Sequence, residues 1–260
     1  MQTNIKSYVI NLASEIKRKE HIITEFGSKN IEFEFVDALT PQLAFSEAKS
    51  MGLIIRPNLM TEGEVACFLS HVSIWKKMIN ENILYAAIFE DDVILGQNAD
   101  RFLSDSDWLK DDWNIIKIEK FNRRVLLSNI GATCPDEDRE LKQLLSKHYG
   151  CAGYILSLTA AEELLAYLEK NPLLIPLDHI VFEHFIPVST GKVLQLNPAI
   201  CIQDSVLKNS HENFPSDLEL ARRKRMKENK KKGGAKILSE FSRVIQQLKL
   251  KLFGSDVSFK

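Results

Sequence analysis

Three consecutive carboxylates, Glu90, Asp91 and Asp92, follow the apolar run YAAIF at residues 85–89, and the chain turns apolar again at Val93. Burying like charges side by side is costly unless a cation or hydrogen-bond donors compensate them. Hard oxygen ligands of this kind suit Mg²⁺ or Mn²⁺, which commonly bind through one or two carboxylates together with a substrate's phosphates. The triplet therefore indicates a divalent-cation and phosphate site, although acids in this pattern also cap helices or line solvated loops.

The run before the triplet is typical of a buried strand, and ligands of open α/β sheets bind beyond the carboxyl ends of strands. Side chains alternate along an extended chain, so we expect Glu90 and Asp92 on one side and Asp91 on the other. A phosphatase with a nucleophilic aspartate at the end of its first strand is a different interpretation. The strand here comes later in the chain, and Val93 follows in place of a Thr or Ser.

Two further groups of side chains are suited to binding or proton transfer. The sequence FLSHVSIW places Ser70 and His71 in the middle of a predicted helix, where a lone histidine is more often a packing residue than a ligand. Asp178, in PLDHIVF, begins another predicted helix just after Pro176, and a plain N-cap aspartate would explain it equally well. Neither group identifies a reaction by itself.

The elements that must position these residues alternate between strands and helices. KSYVINL and the alternating IEFEFVDA are typical of strands, and GYILS, VLQL and AICIQ predict further short strands. Ser14 is the expected N-cap of a first helix that Gly27 ends, and another helix is predicted near residues 99–109. The alternation predicts a layered α/β fold.

Two further helices are predicted from the spacing of their first residues. Thr61 and Glu64 are spaced as in a capping box, ahead of a helix with an apolar stripe that includes Val65. Thr159 and Glu162 repeat that spacing. The pattern is least decipherable over residues 121–149, which are interpreted as loops.

Composition places the chain among ordinary globular proteins, with 45% apolar and 27% charged residues in a length of 260. The net charge of −1 conceals an uneven distribution. Residues 222–260 carry 13 Lys or Arg against 3 Asp or Glu, a net charge of +10, and residues 1–221 carry 21 against 32, a net charge of −11. We therefore divide the chain into a body, residues 1–221, and a basic tail, residues 222–260.

The tail combines a basic linker with a predicted amphipathic helix whose apolar face includes Phe241, Leu248 and Leu252. Such a segment either packs on the body or lies in the plane of an anionic membrane surface, attracted by about 1 kcal/mol per basic residue. Nucleic-acid binding is not expected, because no aromatic residue lies within the basic run. The four cysteines are far apart, which argues against zinc and a disulfide framework, and no segment is typical of a signal peptide or a transmembrane helix. A reduced, cytoplasmic location is expected.

The chain resembles the bacterial lipooligosaccharide glycosyltransferases of family 25, in particular their β-1,4-galactosyltransferase branch. The resemblance rests on stretches that occur in the same order over nearly the whole body: YVINLASEIKRKEHI, FEFVDAL, EGEVACFLSHVSIW, AAIFEDDVILG, GCAGYILS, PLDHIVF and LNPAICIQ. It implies a GT-A-like nucleotide-sugar-binding fold with a mixed central sheet. It also implies a UDP-hexose donor, a lipooligosaccharide glycan acceptor, and a peripheral location at the inner membrane.

The resemblance implies roles for individual residues. The triplet looks like the metal-binding DxD motif of metal-dependent glycosyltransferases, with Asp92 as the main contact to Mn²⁺ or Mg²⁺, and with Glu90 and Asp91 serving the metal's water shell or the donor. The implied donor site is completed by residues of the first strand, of the turn after it and of the FLSHVSIW helix, namely Asn11, Leu12, Arg18, Ser70 and His71. Arg18 is equally well explained as part of a solvated basic helix. His211 is the expected late metal ligand, with Gln203 and Asp204 as other candidates.

The expected reaction is transfer of galactose from UDP-galactose to a terminal lipooligosaccharide sugar, with inversion at the anomeric carbon and a β-1,4 linkage. Inversion needs a single base for the acceptor hydroxyl, and Asp178 is our candidate, with Glu183 as the second choice. Two alternatives stay open. One is a UDP-glucose-dependent enzyme of the same family, and the other is a non-catalytic, membrane-associated module that binds nucleotide sugars.

Overall fold

A computed structural model of the protein describes residues 4–56, 58–210, 212–214, 217–228 and 247–260. The strands are β1 (Lys6–Asn11), β2 (Glu34–Asp37), β3 (Tyr85–Glu90), β4 (Val93–Leu95), β5 (Trp113–Lys117), β6 (Glu119–Lys120), β7 (Leu127–Ala132), β8 (Glu140–Leu144), β9 (Gly153–Ser157), β10 (Lys192–Asn197) and β11 (Cys201–Gln203). The helices are α1 (Ile16–Gly27), α2 (Pro41–Ser50), α3 (Glu62–Asn80), α4 (Asp100–Leu103), α5 (Leu158–Lys170), α6 (Leu177–His179), α7 (Asp204–Lys208) and α8 (Asp217–Glu228). A π-helical turn at Ile180–His184 follows α6.

The main sheet is mixed, with the strand order β2-β1-β3-β9-β5-β10-β8-β7. β1 is parallel to both β2 and β3, whereas β9 is antiparallel to β3 and β5. A smaller sheet has the order β4-β11-β6 and lies next to the end of β3, where the chain passes directly into β4. The predicted α/β layered architecture is confirmed.

Side-chain alternation along β3 explains how the sheet is covered on both faces. Ala86 and Ile88 pack into a core with α2, α3 and α5, while Ala87 and Phe89 pack into a second core with α1 and α4. Phe26 of α1 meets Phe89 edge to face, with ring centroids 5.2 Å apart. A strand buried on both faces reads as a continuous apolar run, which is why residues 85–89 are recognisable in the sequence.

Helix α3 begins as predicted, with a reciprocal capping box. The Thr61 hydroxyl accepts a hydrogen bond from the backbone N–H of Glu64, and the Glu64 carboxylate accepts one from the backbone N–H of Thr61. Helix α5 begins differently from the prediction. Its N-cap is Ser157, whose hydroxyl accepts from the backbone N–H of Ala160, so the helix starts earlier than Thr159 would place it.

Other differences from the predicted elements have local causes. Helix α1 begins at Ile16 after Glu15, and no side chain caps it, so Ser14 is one residue too early. The helix predicted over residues 99–109 ends at Leu103, and soon afterwards the Asp105 carboxylate accepts a hydrogen bond from the backbone N–H of Asp107 and forms a turn.

Residues 121–149, for which the sequence pattern predicts loops, contain the antiparallel strands β7 and β8, and β8 pairs with β10.

The part of the tail that the structure describes contacts the body. Helix α8 spans the predicted boundary between body and tail at residue 222. The Arg225 guanidinium of this helix donates to the Glu64 carboxylate over 2.7 Å. Residues 247–253 are helical, and residues after them pair with the body through isolated bridges from Ser255 to Val125 and from Phe259 to Ala199. Among the residues described, no helix combines the length and hydropathy that crossing a membrane requires.

Candidate active site

The carboxylate triplet lies where the parallel strands β1 and β3 end side by side. Ile10 pairs with Glu90 in the strand register, so the next residues, Asn11 at the end of β1 and Asp91 just after β3, lie side by side. The Asn11 side-chain amide donates to the Asp91 carboxylate over 2.8 Å. Both side chains are buried. The predicted position of the triplet at a strand's carboxyl end is confirmed.

Helix α1 supplies a cation to the same carboxylates. The Arg18 guanidinium lies 2.6 Å from an Asp91 oxygen and 3.5 Å from an Asp92 oxygen. Burial by itself would lower the pKa of Arg18, but Asp91 and Asp92 together raise it. Arg18 is therefore part of a buried charge cluster and not of a solvated helix face.

Strand β11 joins the other two carboxylates of the triplet. The Gln203 side-chain amide donates to Glu90 Oε2 over 3.1 Å and to Asp92 Oδ1 over 3.2 Å. The backbone N–H of Asp204 donates to the carbonyl oxygen of Asp92. Glu90 and Asp92 therefore share a donor that differs from the Asn11 donor of Asp91, while Arg18 contacts both aspartates of the turn.

The electrostatics of the triplet leave its negative charge incompletely compensated. Burial and the neighbouring Glu90 raise the pKa of Asp92 to about 7, even though Arg18 lowers it. Burial alone would raise the pKa of Glu90 as well, but His71, Arg18 and Cys67 lower it. The Glu90 and Asp92 carboxylates, which share the Gln203 amide and carry this excess of negative charge, fit a hard divalent cation such as Mn²⁺ or Mg²⁺, which would favour the ionised form of Asp92.

Helix α3 presents Ser70 and His71 toward the inside of the protein. The Ser70 hydroxyl accepts from the backbone N–H of Leu39 and donates to the carbonyl of Ala66, so it ties the segment after β2 to the helix. His71 is fully buried, and its Nε2 lies 3.9 Å from Glu90 Oε1. The structure thus places His71 behind the triplet, in contact with Glu90.

Asp178 is a buried carboxylate that backbone groups hold in place. Its two oxygens accept from the backbone N–H groups of Gly150, over 3.3 Å, and of His179, over 3.0 Å. Burial raises the pKa of the Cys67 thiol well above its usual value, and Glu90 and then Asp178 add to that effect. The backbone segment 150–152 links Asp178 to the triplet, because the Gly150 N–H donates to Asp178 and the Ala152 carbonyl accepts from the backbone N–H of Glu90.

The predicted site residues are not all gathered at this point. Leu12 is half-buried in the turn after β1, where its carbonyl oxygen accepts from the backbone N–H of Glu15. Glu183 lies 2.6 Å from the Lys147 ammonium group in an ion pair. Asp204 accepts from the Asn213 amide over 3.2 Å and is buried. His211 lies outside the described residues.

A buried ion pair beneath the site was missed by the sequence analysis. The Lys117 ammonium lies 2.7 Å from Glu119 Oε2 and donates to the carbonyl of Gly150. Glu119 also accepts from the backbone N–H of Ala152, whose carbonyl accepts from the backbone N–H of Glu90. Burial raises the pKa of Glu119 to about 7, against the lowering effect of Lys117. The pair holds the segment 150–152, which contacts both Asp178 and Glu90.

Gly150 is required in that segment for two reasons. Its φ of +81° lies in the left-handed region, which side chains other than glycine rarely adopt. A Cβ atom there would also lie 2.5 Å from a Glu119 oxygen.

Cys67 was missed as well, although its spacing of four residues from His71 would have placed both on one face of α3.

Comparison with known proteins gives the relationship directly. The model of glycosyltransferase family 25, described as an LPS biosynthesis protein family, matches residues 4–181. The lipooligosaccharide biosynthesis protein lex-1 of Haemophilus influenzae is 36% identical, with 88% of this chain and 86% of the relative covered. The lacto-N-neotetraose biosynthesis glycosyltransferase LgtE of Neisseria meningitidis is 32% identical, with 93% and 89% covered.

A solved structure, that of a glycosyltransferase involved in glycosylation of the major capsid of PBCV-1, aligns with a TM-score of 0.41 at 8% identity, over 86% of this chain and 98% of that one. A likeness this distant decides neither fold nor function. The sequence relationships show the family. This chain belongs to glycosyltransferase family 25 and is a glycosyltransferase.

Proposed function

We propose that the protein transfers galactose from UDP-galactose to a terminal sugar of lipooligosaccharide, through a GT-A-like site that holds Mn²⁺ or Mg²⁺. The observation that carries the proposal is the convergence of Glu90, Asp91 and Asp92 at the ends of β1 and β3, beside Asn11 and Gln203. Relatives named for lipooligosaccharide and lacto-N-neotetraose biosynthesis support the acceptor class. A β-1,4 linkage is part of the proposal.

The triplet residues would hold the cation, with Asp92 as its main contact and Glu90 beside it, and His211 is proposed as a further ligand. When bound, the ion would neutralise negative charge on the diphosphate of the donor, which makes UDP a better leaving group. Asn11, Leu12 and Arg18 would bind the nucleotide, and the Arg18 guanidinium is suited to a phosphate through two parallel hydrogen bonds. Arg18 would then exchange part of its contact with Asp91 for the donor.

Asp178 is proposed as the base of an inverting displacement. The acceptor hydroxyl oxygen forms a bond to the anomeric carbon, the bond from that carbon to the UDP oxygen breaks, and the hydroxyl proton passes to Asp178. The Asp178 oxygens each accept one backbone hydrogen bond and each keep a second lone pair, so the carboxylate is oriented and can still take the proton.

Replacing Asp92 tests the metal role. Asp92→Ala should abolish Mn²⁺-dependent binding of UDP-galactose, because the main cation ligand is lost, as measured by calorimetric titration with and without Mn²⁺. Asp107→Ala, an exposed acid in the segment after α4, is the matched control and should bind as the wild type does. Unchanged affinity of Asp92→Ala in Mn²⁺ would remove this role.

Turnover separates the donor alternatives. UDP release with a panel of glycan acceptors should be faster from UDP-galactose than from UDP-glucose. The reverse order would make the protein a glucosyltransferase, and donor binding without turnover on any acceptor would indicate a binding module.

We also propose that the tail holds the enzyme at the cytoplasmic face of the inner membrane. In the described helical segment 247–253, Leu252 and Phe253 are exposed next to Lys249 and Lys251. Apolar and basic side chains together suit an anionic lipid surface. Leu252→Glu with Phe253→Ser should reduce co-sedimentation with vesicles that contain anionic lipid, whereas equal sedimentation of both proteins would count against the anchor.

A further inference from the structure

The two oxygens of the Glu90 carboxylate face different parts of the protein. Oε2 accepts from the Gln203 amide that also contacts Asp92, so it belongs to the proposed cation site. Oε1 faces helix α3, where it lies 3.8 Å from the Cys67 sulfur and 3.9 Å from His71 Nε2. The orientation of this carboxylate therefore depends on α3 as well as on the site.

On the side away from Glu90, His71 is held by Tyr154, which is in turn held by Trp75. Its Nδ1 lies 2.9 Å from the Tyr154 hydroxyl oxygen, and that oxygen accepts from the indole N–H of Trp75 over 3.1 Å. All three side chains are fully buried, and His71 Nε2, which faces Glu90, has no hydrogen-bond partner within the part of the chain that the structure describes. The side chains form a continuous series from Trp75 through Tyr154 and His71 to Glu90.

The chemistry of these groups decides where the His71 proton lies. Indole nitrogen can only donate, so Tyr154 accepts from Trp75, and the hydroxyl proton of Tyr154 then needs an acceptor of its own. His71 Nδ1 at 2.9 Å is placed to be that acceptor, which requires it to carry no proton. The neutral ring then has its N–H on Nε2, facing Glu90 Oε1.

The opposite tautomer is disfavoured twice. It would leave the Tyr154 hydroxyl proton without the Nδ1 acceptor, and it would point the lone pair of Nε2 at a carboxylate oxygen.

We propose that His71 is a positioning residue, whose Nε2–H, fixed by Tyr154 and Trp75, faces Glu90 Oε1 across 3.9 Å and attracts it electrostatically, which orients the carboxylate so that Oε2 shares the Gln203 amide with Asp92. His71 acts through Glu90 and does not touch the sugar donor. The inference rests on the proposed cation site for its effect on function, but the tautomer itself can be measured without any metal.

A different arrangement makes the opposite prediction. Ligand atoms of Cys67, His71 and Glu90 all lie within 4.8 Å of one another, a separation that a thiophilic cation such as Zn²⁺ could bridge. Zinc ligation needs an unprotonated Nε2, with the proton on Nδ1. The position of the ring proton therefore distinguishes electrostatic positioning of Glu90 by a protonated Nε2 from ligation of a soft metal by a bare Nε2.

The first experiment determines which ring nitrogen of His71 carries the proton. Two-bond proton–nitrogen correlation spectra of the labelled full-length protein, with His71 assigned from the His71→Gln spectrum, should show Nε2 protonated and Nδ1 bare. Tyr154→Phe should lose the fixed tautomer. Tyr167→Phe, the same change on helix α5, should leave it intact. A bare Nε2 in the wild type overturns the proposal, and Zn²⁺ binding that Cys67→Ser abolishes would then assign the cluster to a metal.

The second experiment measures the consequence for Mn²⁺ affinity with two matched variants. The amide of His71→Gln can place an N–H near the original Nε2, whereas that of His71→Asn reaches only the Nδ1 position. Calorimetric titration should show affinity reduced about tenfold or more in His71→Asn and restored to within about threefold of wild type in His71→Gln. Equal losses in both variants overturn the proposal.

A folding control distinguishes loss of Mn²⁺ binding from loss of the fold: thermal unfolding of each variant establishes that it folds. Tyr154→Phe leaves His71 in place and is titrated with Mn²⁺ in the same way. It should also bind Mn²⁺ more weakly than Tyr167→Phe does. Equal Mn²⁺ affinities of the two tyrosine variants would contradict the proposal. If wild-type protein binds no Mn²⁺, the proposed cation site fails, and the measured tautomer still decides the role of His71.

Discussion

At the scale of single residues, Asp178 shows how backbone groups can fix the direction of a buried carboxylate. Two backbone N–H groups, from Gly150 and His179, orient its carboxylate without using a charged partner. Both donors depend on local conformation, since Gly150 has a left-handed backbone and His179 follows in α6. A carboxylate held in this way is oriented by the backbone itself, as the base that we propose would need to be.

Asp178→Asn should keep the geometry and remove the proton acceptor. We expect turnover to fall by about a hundredfold or more while the affinity for UDP-galactose stays near the wild-type value, because base catalysis contributes at least that much. Steady-state UDP release and calorimetric donor binding measure the two quantities. Glu183→Gln, which alters the Lys147 ion pair, serves as the control and should keep most of its turnover. Near-normal rates of Asp178→Asn would show that another group takes the proton.

At the scale of elements, helix α3 connects the surface of the protein to its site. Its first turn is fixed by the capping box and by Arg225 of α8, which contacts Glu64. Its middle turns carry His71 and Trp75 to the end of β3. Displacement of α3 would therefore move the groups behind the triplet, although none of them lies in it.

The start of helix α5 offers a test of how a single cap defines an element. Ser157→Ala removes the hydroxyl that accepts from Ala160 N–H and should lower the free energy of unfolding by about 1 kcal/mol. Thr159→Ala, an exposed position within the same first turn, should change the free energy of unfolding by less than about 0.5 kcal/mol. Urea denaturation followed by circular dichroism measures both. A larger loss in Thr159→Ala would mean that Thr159 is the cap.

At the scale of the whole molecule, buried ionisable groups couple the stability of the fold to pH. His148 is fully buried, and burial together with the nearby Lys117 lowers its pKa to about 3. In the unfolded chain the imidazole takes up a proton near pH 6.5, which the folded protein cannot bind until the pH is far lower. The contribution of His148 to stability is therefore complete above pH 6.5 and is lost as the pH falls toward 3.

His148→Gln should flatten this part of the stability curve. The free energy of unfolding of the wild type should fall faster than that of the variant between about pH 6.5 and 4, with a difference in slope of up to about 1.4 kcal/mol per pH unit. Urea denaturation at a series of pH values measures it. The exposed His184→Gln is the control and should follow the wild type. Parallel curves for His148→Gln and the wild type would contradict the assignment.

The sequence alone determined those features of this protein that depend on neighbouring residues or on ordered matches to a family. The α/β alternation, the strand before Glu90, the capping box at Thr61 and membership of family 25 all belong to this class. The start of α5 was not determined in this way, because two polar residues, Ser157 and Thr159, could serve as the cap and only the structure shows that Ser157 does.

Only the tertiary structure decided which groups meet at the triplet. Asn11 and Asp91 are 80 residues apart, and Gln203 and Glu90 are 113 apart, so no local pattern relates them. The position of His71 behind Glu90 and the ion pair of Lys117 with Glu119 likewise result from the packing of α3 and of the central strands. Buried polar groups must find partners wherever the fold brings them, and sequence spacing contains no record of such contacts.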